Sequence, residues 1–278
     1  MPELRDQILN LWNLQGGEPI LPLSFNYLEL TKDKDGKGVI LKLGFPNPEL
    51  TTEILALEQY DGKGAVRLIE ANPQLGALLL ENVLPGTSLL AIKDDEEATK
   101  IASQVMHRLQ VEAPEDGNFP TIADWCRGFD RYKEQFPILS GPLPAKLVSQ
   151  AEKLAADLLH SQYPPLLLHG DLHHQNILQG EGGSWIVIDP KGVIGELCFE
   201  VGPLMINPFP DLIKDPHLTQ ILSRRLDILE QDLKLDRWRI AAWSFVRAVL
   251  SAVWDVEDGT DNWQYGITCA EHLSKLIP

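Results

Sequence analysis

Basic side chains are scarce in this sequence. Its 24 lysines and arginines face 40 aspartates and glutamates, a formal net charge of −16 over 278 residues. Nucleic acids and anionic membrane surfaces require a positive footprint, so neither is an expected partner. The same charge would suit a cationic small molecule, and it also serves plain solubility. Cysteine is scarcer still. Cys126, Cys198 and Cys269 are three in number, far apart and without a Cys-x-x-Cys pair. That excludes a disulfide framework and a zinc knuckle, and it points to the reducing cytoplasm. No uncharged run reaches the roughly 18 residues of a membrane span. The start, Met1-Pro2-Glu3-Leu4-Arg5-Asp6, lacks the basic segment and apolar run of a signal peptide. Internal repeats and low-complexity tracts are absent, and nothing in the sequence speaks to oligomeric state.

What is present suffices for a real core: 44% of the residues are hydrophobic. A short helix is expected over residues 3–14, with Leu4, Ile8, Leu11 and Trp12 on one face and Gly16-Gly17 as its stop. Strands follow at 26–30 and 38–43, joined through the turn residues Asp33-Lys34-Asp35-Gly36-Lys37. The stripe Leu50, Ile54, Leu57 makes 49–60 a helix, and two more strands are expected at 65–70 and 76–81. Pro85-Gly86 is the strongest boundary signal, dividing the chain into a β-rich part, 1–83, and a mainly helical part, 84–278. Helices are expected from Asp94, over 121–136, 145–160, near 199–205, over 218–233 and 236–253, and from Asn262 onward. The fold class is α+β, with two lobes.

The most informative stretch is His169-Gly170-Asp171-Leu172-His173-His174-Gln175-Asn176, followed by the strand-like Trp185-Ile186-Val187-Ile188 and then Asp189-Pro190-Lys191-Gly192. Apolar runs on either side read as short buried strands bracketing a polar turn. Asp171, Asn176 and Asp189 thus fall at strand mouths, where side chains can converge. Two carboxylates and an amide oxygen are hard ligands that suit magnesium better than zinc. An Asp, an Asn five residues later and then a strand-end Asp also match the spacing of a kinase catalytic loop and its magnesium-binding Asp.

These segments resemble the aminoglycoside phosphotransferase family, and within it the streptomycin and hydroxyurea kinase branch, whose signatures are HGDLHxxN and IDPKG. The resemblance implies a bilobal protein-kinase-like fold and ATP-dependent (or GTP-dependent) phosphorylation of a hydroxyl on a small, cationic acceptor, with magnesium as cofactor and antibiotic resistance as a biological setting. On this template Asp171 is the catalytic base, and Asn176 and Asp189 hold the metal. Lys42, on its strand, would meet the phosphates, and Glu53, eleven positions on, would aim it. The strand ending at Glu81 would become the hinge, placing Glu81 and Val83 near the adenine. No GxGxxG precedes Lys42, so the phosphate-covering loop falls at 21–26, with Ser24 as its donor. Glu200, Asp255 and Glu257 are the acids expected to meet a cationic acceptor. His169 reads as a residue that orients the loop; Lys191 would touch phosphate or pair with Asp171 or Glu196.

Other readings stay open at this point. Choline, fructosamine, homoserine and methylthioribose kinases share the architecture, and fold does not fix substrate. The His/Asp cluster at 169–174 would also serve a metal-dependent phosphoesterase, although His107, His160, His217 and His272 are scattered without ligand spacing. A non-catalytic nucleotide-binding module would have no use for Asp171.

Overall fold

The structure is a computed structural model that describes residues 2–21, 26–115, 117–137 and 140–277. Helix α1 (Pro2–Leu11) leads into β1 (Gln15–Pro19), β2 (Tyr27–Lys32) and β3 (Gly38–Leu43). Helix α2 (Pro48–Tyr60), β4 (Leu68–Asn72) and β5 (Ala77–Glu81) complete the first part. The five strands form one antiparallel sheet in the order β1-β2-β3-β5-β4.

Alternation along β3 positions the site. Leu41 and Leu43 point to one face, where α1 covers them with Ile8. Ile40 and Lys42 point to the other, facing a cleft. α1 ends earlier than expected and turns Leu11 outward at 54% exposure, while Leu4, Leu9 and Trp12 pack beside Ile8. Gly16 and Gly17 belong to a strand rather than a helix stop. A Cβ at Gly17 would sit 1.9 Å from the carbonyl oxygen of Leu30, so close pairing with β2 requires glycine there. Asn47 caps α2, accepting from the Leu50 N–H at 2.7 Å, and Pro48 occupies the first turn.

The second part contains α3 (Asp95–Arg108), the short β6 (Val111–Glu112), α4 (Ile122–Cys126), α5 (Gly128–Gln135) and α6 (Ala145–His160). The helix expected over 121–136 breaks at Arg127, and α5 restarts at Gly128, where a Cβ would press 2.9 Å from Leu250. Then come β7 (Leu166–Leu168), β8 (Ile177–Gln179), β9 (Trp185–Val187), β10 (Val193–Gly195) and α7 (Leu197–Met205). The chain ends with α8 (Leu218–Leu233), α9 (Arg237–Glu257) and α10 (Trp263–Leu273). α9 is buried along most of its length, and α5, α6, α7, α8 and α10 pack around it. Strands β8 and β9 form a two-stranded ribbon, and β7 lies between β6 and β10. The parts are stitched together at Val66, whose N–H donates to the Val187 carbonyl at 2.8 Å. One hydrophobic core runs from α2 through to α10.

Candidate active site

Lys42 is buried, and its ammonium lies 2.7 and 2.8 Å from the two carboxylate oxygens of Glu53 on α2. It also reaches Asp189 Oδ1 at 2.5 Å, from the segment after β9. Glu53 falls on the cleft side because α2 buries the face that carries Leu50, Ile54 and Leu57 against the core. Two carboxylates hold the Lys42 ammonium charged against the burial that opposes it, and its pKa lies above the ordinary lysine value. Asp189 adopts a left-handed backbone, φ 60°, uncommon for a residue with a side chain. Burial opposes its ionisation, but Lys42 and Lys191 together bring its pKa down to about 2.

The 169–176 segment is organised by hydrogen bonds to its own backbone. The Asp171 N–H donates to His169 Nδ1 at 3.2 Å, so Nε2 carries the proton and donates to the Ile188 carbonyl at 2.9 Å. Burial brings the His169 pKa down to about 4, which leaves a neutral ring that ties the Asp171 loop to β9. Asn176 donates through Nδ2 to the Asp171 carbonyl at 2.9 Å. Gly170 has φ 82°, and a Cβ there would come within 2.7 Å of the Trp125 ring. The Asp171 carboxylate lies 3.5 Å from His173 Nε2 and 3.5 Å from Arg247 Nη2, and hydrogen bonding from His173 with the Arg247 charge depresses its pKa despite burial.

Two cavities are lined in part by this segment. A 540 Å³ cleft under the sheet is lined by Leu28, Leu30, Ile40, Val66 and Leu80 from the strand side. Glu81 and Val83 line it at the connection between the two parts, and Lys42, Glu53, Asn176 and Asp189 line it at its inner end. Glu81 also accepts from the Arg67 N–H at 2.9 Å, which fixes its side chain. The second cavity, 660 Å³, is lined by Asp171, Lys191, Glu49, Arg247 and the indoles of Trp125 and Trp254.

The oxygen set fits a hard divalent ion. Asn176 and Asp189 line the same end of the cleft, and the Asn176 amide nitrogen is committed to Asp171, which leaves its carbonyl oxygen as a donor. An Asp and an Asn plus phosphate and water oxygens are the ligands magnesium favours. No cluster of three or more His, Cys, Asp or Glu side chains arranged to hold a metal occurs among the described residues.

The acids expected on the acceptor side are placed differently. Glu200 is buried in α7 and accepts the backbone N–H groups of His169 at 2.6 Å and Gly170 at 3.0 Å. It holds the 169–176 segment from behind and does not line the 660 Å³ cavity. Burial pushes its pKa up to about 7. Glu257 sits at the end of α9 in an ion pair with Arg131 at 2.8 Å, and Asp255 accepts from the Thr260 hydroxyl at 2.9 Å. Neither lines the cavity. Ser24 lies outside the described residues. Lys191 pairs with Glu49 at 2.7 Å and Asp189 at 3.3 Å; Glu196 is taken by Arg239 at 2.7 Å and by the Trp243 indole. Sequence reasoning missed Arg247 altogether: it sits within the apolar pattern of α9, and nothing local ties it to Asp171, 76 residues earlier.

A strand lysine paired with a helix glutamate, facing a metal-suited Asn/Asp set across a two-part cleft, defines a small-molecule kinase of the protein-kinase-like fold. Residues 14–259 match the profile of the aminoglycoside/hydroxyurea antibiotic resistance kinases. The chain belongs to that family. It is 27% identical to the streptomycin 6-kinase of Streptomyces glaucescens over 94% of this chain and 84% of the relative. It is 32% identical to the hydroxyurea phosphotransferase of Kitasatospora aureofaciens, over 91% of this chain and 72% of the relative. Among solved structures, choline kinase LicA from Streptococcus pneumoniae superposes with a TM-score of 0.67 at 14% identity, over 99% of this chain and 98% of that one.

Proposed function

We propose that this protein transfers the γ-phosphoryl group of ATP to a hydroxyl of a small molecule, with Asp171 at the point of transfer. The observation that carries this reading is the contact between residues of the two cavities: Asp189 and Asn176 line one, Asp171 and Lys191 the other, and Lys191 reaches Asp189 while Asn176 donates to the Asp171 carbonyl. A nucleotide in the apolar cleft would lay its adenine near Glu81 and Val83, with its phosphates running to Lys42. GTP would fit the same logic, but the inner wall of leucine, isoleucine and valine makes no demand beyond a purine face.

In the transfer, a bond forms between the acceptor oxygen and the γ-phosphorus, and the bond from that phosphorus to the β,γ-bridging oxygen breaks. ADP leaves, and Asp171 receives the hydroxyl proton and passes it to solvent. Asp171 is held ionised by its neighbours, so it is a weak base that orients the hydroxyl until bond formation makes the proton acidic. Lys42 stabilises phosphate charge and is itself aimed by Glu53. Asn176 and Asp189 would hold magnesium, which supplies charge neutralisation on the phosphate oxygens. His169 and Glu200 position the Asp171 loop.

Acceptors of the kinds named for the relatives, streptomycin and hydroxyurea, are the first candidates, with antibiotic inactivation as the setting. The three cysteines are buried and free, and no helix among the described residues is long and apolar enough to cross a membrane; both observations suit work in the cytoplasm on a diffusible substrate. The test uses γ-labelled ATP and magnesium with a panel of small hydroxyl compounds. Label transferred to an acceptor, with ADP release that depends on it, is the expected result. ADP release independent of every acceptor, or no nucleotide binding, would contradict the reading.

A further inference from the structure

The acceptor cavity holds a cation that the fold itself leaves unsettled. Arg247 lines the cavity yet is only 7% exposed. Its Nε and Nη1 have no hydrogen-bond partner among the described residues, and Nη2 has only a 3.5 Å approach to Asp171 Oδ1. Its guanidinium carbon stacks 4.7 Å over the Trp254 ring, and Gly202 makes room for its stem, since a Cβ there would come within 2.7 Å of it. Each buried donor left unpaired costs about 1–3 kcal/mol. By contrast, Arg225 and Arg239, the other buried arginines, each bind a carboxylate at 3.0 Å or less and a backbone carbonyl as well. A guanidinium buried at such cost beside the catalytic carboxylate is suited to a ligand.

The remaining charges of the cavity argue which ligand. Glu49 is paired with Lys191, which also reaches Asp189, and Asp171 is needed at the hydroxyl. Glu200, Asp255 and Glu257 do not line the wall, and the carboxylates that do, Asp171 and Glu49, already face Arg247 and Lys191.

We propose that Arg247 selects the acceptor by receiving a carbonyl or carboxylate oxygen that lies next to the hydroxyl to be phosphorylated. The substrate class is then a small hydroxy compound with an adjacent carbonyl group, such as an N-hydroxyamide or a 2-hydroxy acid, lying against the wall that the packed indoles of Trp125 and Trp254 form. Polycationic alcohols without such an oxygen are disfavoured, because they bring a like charge to the guanidinium and leave its Nε and Nη1 donors unmet. This rests on the phosphotransferase reading above, which fixes Asp171 as the hydroxyl's neighbour. The net charge of the whole surface steers encounter at long range, whereas a desolvated side chain at the cavity wall decides which molecule stays.

The test measures two things on four probes, hydroxyurea, glycolate, choline and streptomycin, with the intact protein. One is binding by calorimetry in the presence of magnesium and a non-hydrolysable ATP analogue; the other is turnover with ATP. Hydroxyurea or glycolate is expected to bind at least about tenfold more tightly than choline and streptomycin, and Arg247→Met is expected to bring that ratio near one. Should Arg247→Met fail to fold, as judged by thermal melting, Arg247→Lys carries the test. A lone ammonium replaces the planar donors, and the ratio is expected to fall at least about threefold. Equal or tighter binding of the two cations by the native protein, or a ratio unchanged in the variant, overturns the inference. The outcomes separate the two claims. Turnover confined to choline or streptomycin leaves the kinase reading and removes this one. Arg247-dependent binding of hydroxyurea or glycolate with no phosphoryl transfer supports this one and removes the other.

Discussion

The two cavities settle their charges in different ways. In the cleft under the sheet Lys42, a buried cation, is shared by Glu53 and Asp189 at 2.5–2.8 Å, so these groups satisfy one another; in the proposed function phosphates and a metal would compete for them. In the cavity proposed for the acceptor, two nitrogens of Arg247 lack a partner among the described residues, and His173 and Arg247 approach the Asp171 carboxylate at 3.5 Å. The first arrangement is pre-assembled and depends on no ligand to stay in place. The second is under-satisfied and gains from being filled. A common phosphate donor needs a fixed socket, and the acceptor is where relatives of one fold diverge, so specificity falls to the unsettled side.

Substitutions can break this comparison, and the expected effects fall in order. Asp189→Asn removes a metal-suited carboxylate and half of the Lys42 clamp; kcat is expected to drop about 10³-fold, seen in steady-state assays across magnesium concentrations. Lys42→Met leaves the acceptor cavity untouched and is expected to cost about 10²-fold in kcat/KM for ATP, with the acceptor's affinity preserved. A loss of acceptor binding in that variant would mean the cavities are not separable in function.

Glu200→Gln should register in the pH dependence of stability. The folded pKa of Glu200, about 7, exceeds the ordinary 4.5, so folding binds an extra proton between those values and the group favours the folded state as pH falls. His169 and His174, with pKa values of about 4 and about 3, do the opposite: they favour the folded state above 6.5 and lose that contribution as pH falls through their folded values. The opposing groups partly cancel in the native protein. Tm measured from pH 7 to 4.5 should therefore fall more steeply in Glu200→Gln than in the native protein, and less steeply in His169→Gln. At the small end, Glu257→Gln removes one exposed partner of Arg131 and should change stability by no more than about 1 kcal/mol in denaturant titration, with turnover unaltered.

How much was legible in the sequence follows from how local each feature is. Asp171, Asn176 and Asp189 sit within two short segments whose strand-and-turn pattern is written in neighbouring residues, and the structure brings all three to one end of the cleft and the rim beside it. Lys42 and Glu53 were readable only through the resemblance, which supplied a template for a strand lysine and a following helix glutamate; neither stands out by itself. Glu200 was read as a substrate acid, but α7 is buried on all sides, and a helix without a solvent face gives no clue to which way its carboxylate turns. Arg247 left no local trace, since its meaning depends on the contact of α9 with a loop far away in the chain. The strand at 15–19 was hidden by two glycines that usually signal interruption, present here because the Leu30 carbonyl approaches so closely.

The most direct trial of the account is the Asp171→Ala variant, assayed in parallel for nucleotide binding and for transfer of labelled phosphate to an accepted substrate. The expected result is ATP binding within about twofold of the native protein, with transfer reduced about 10²- to 10⁴-fold. Transfer at the native rate, or loss of nucleotide binding together with transfer, would contradict the placement of Asp171 between donor and acceptor.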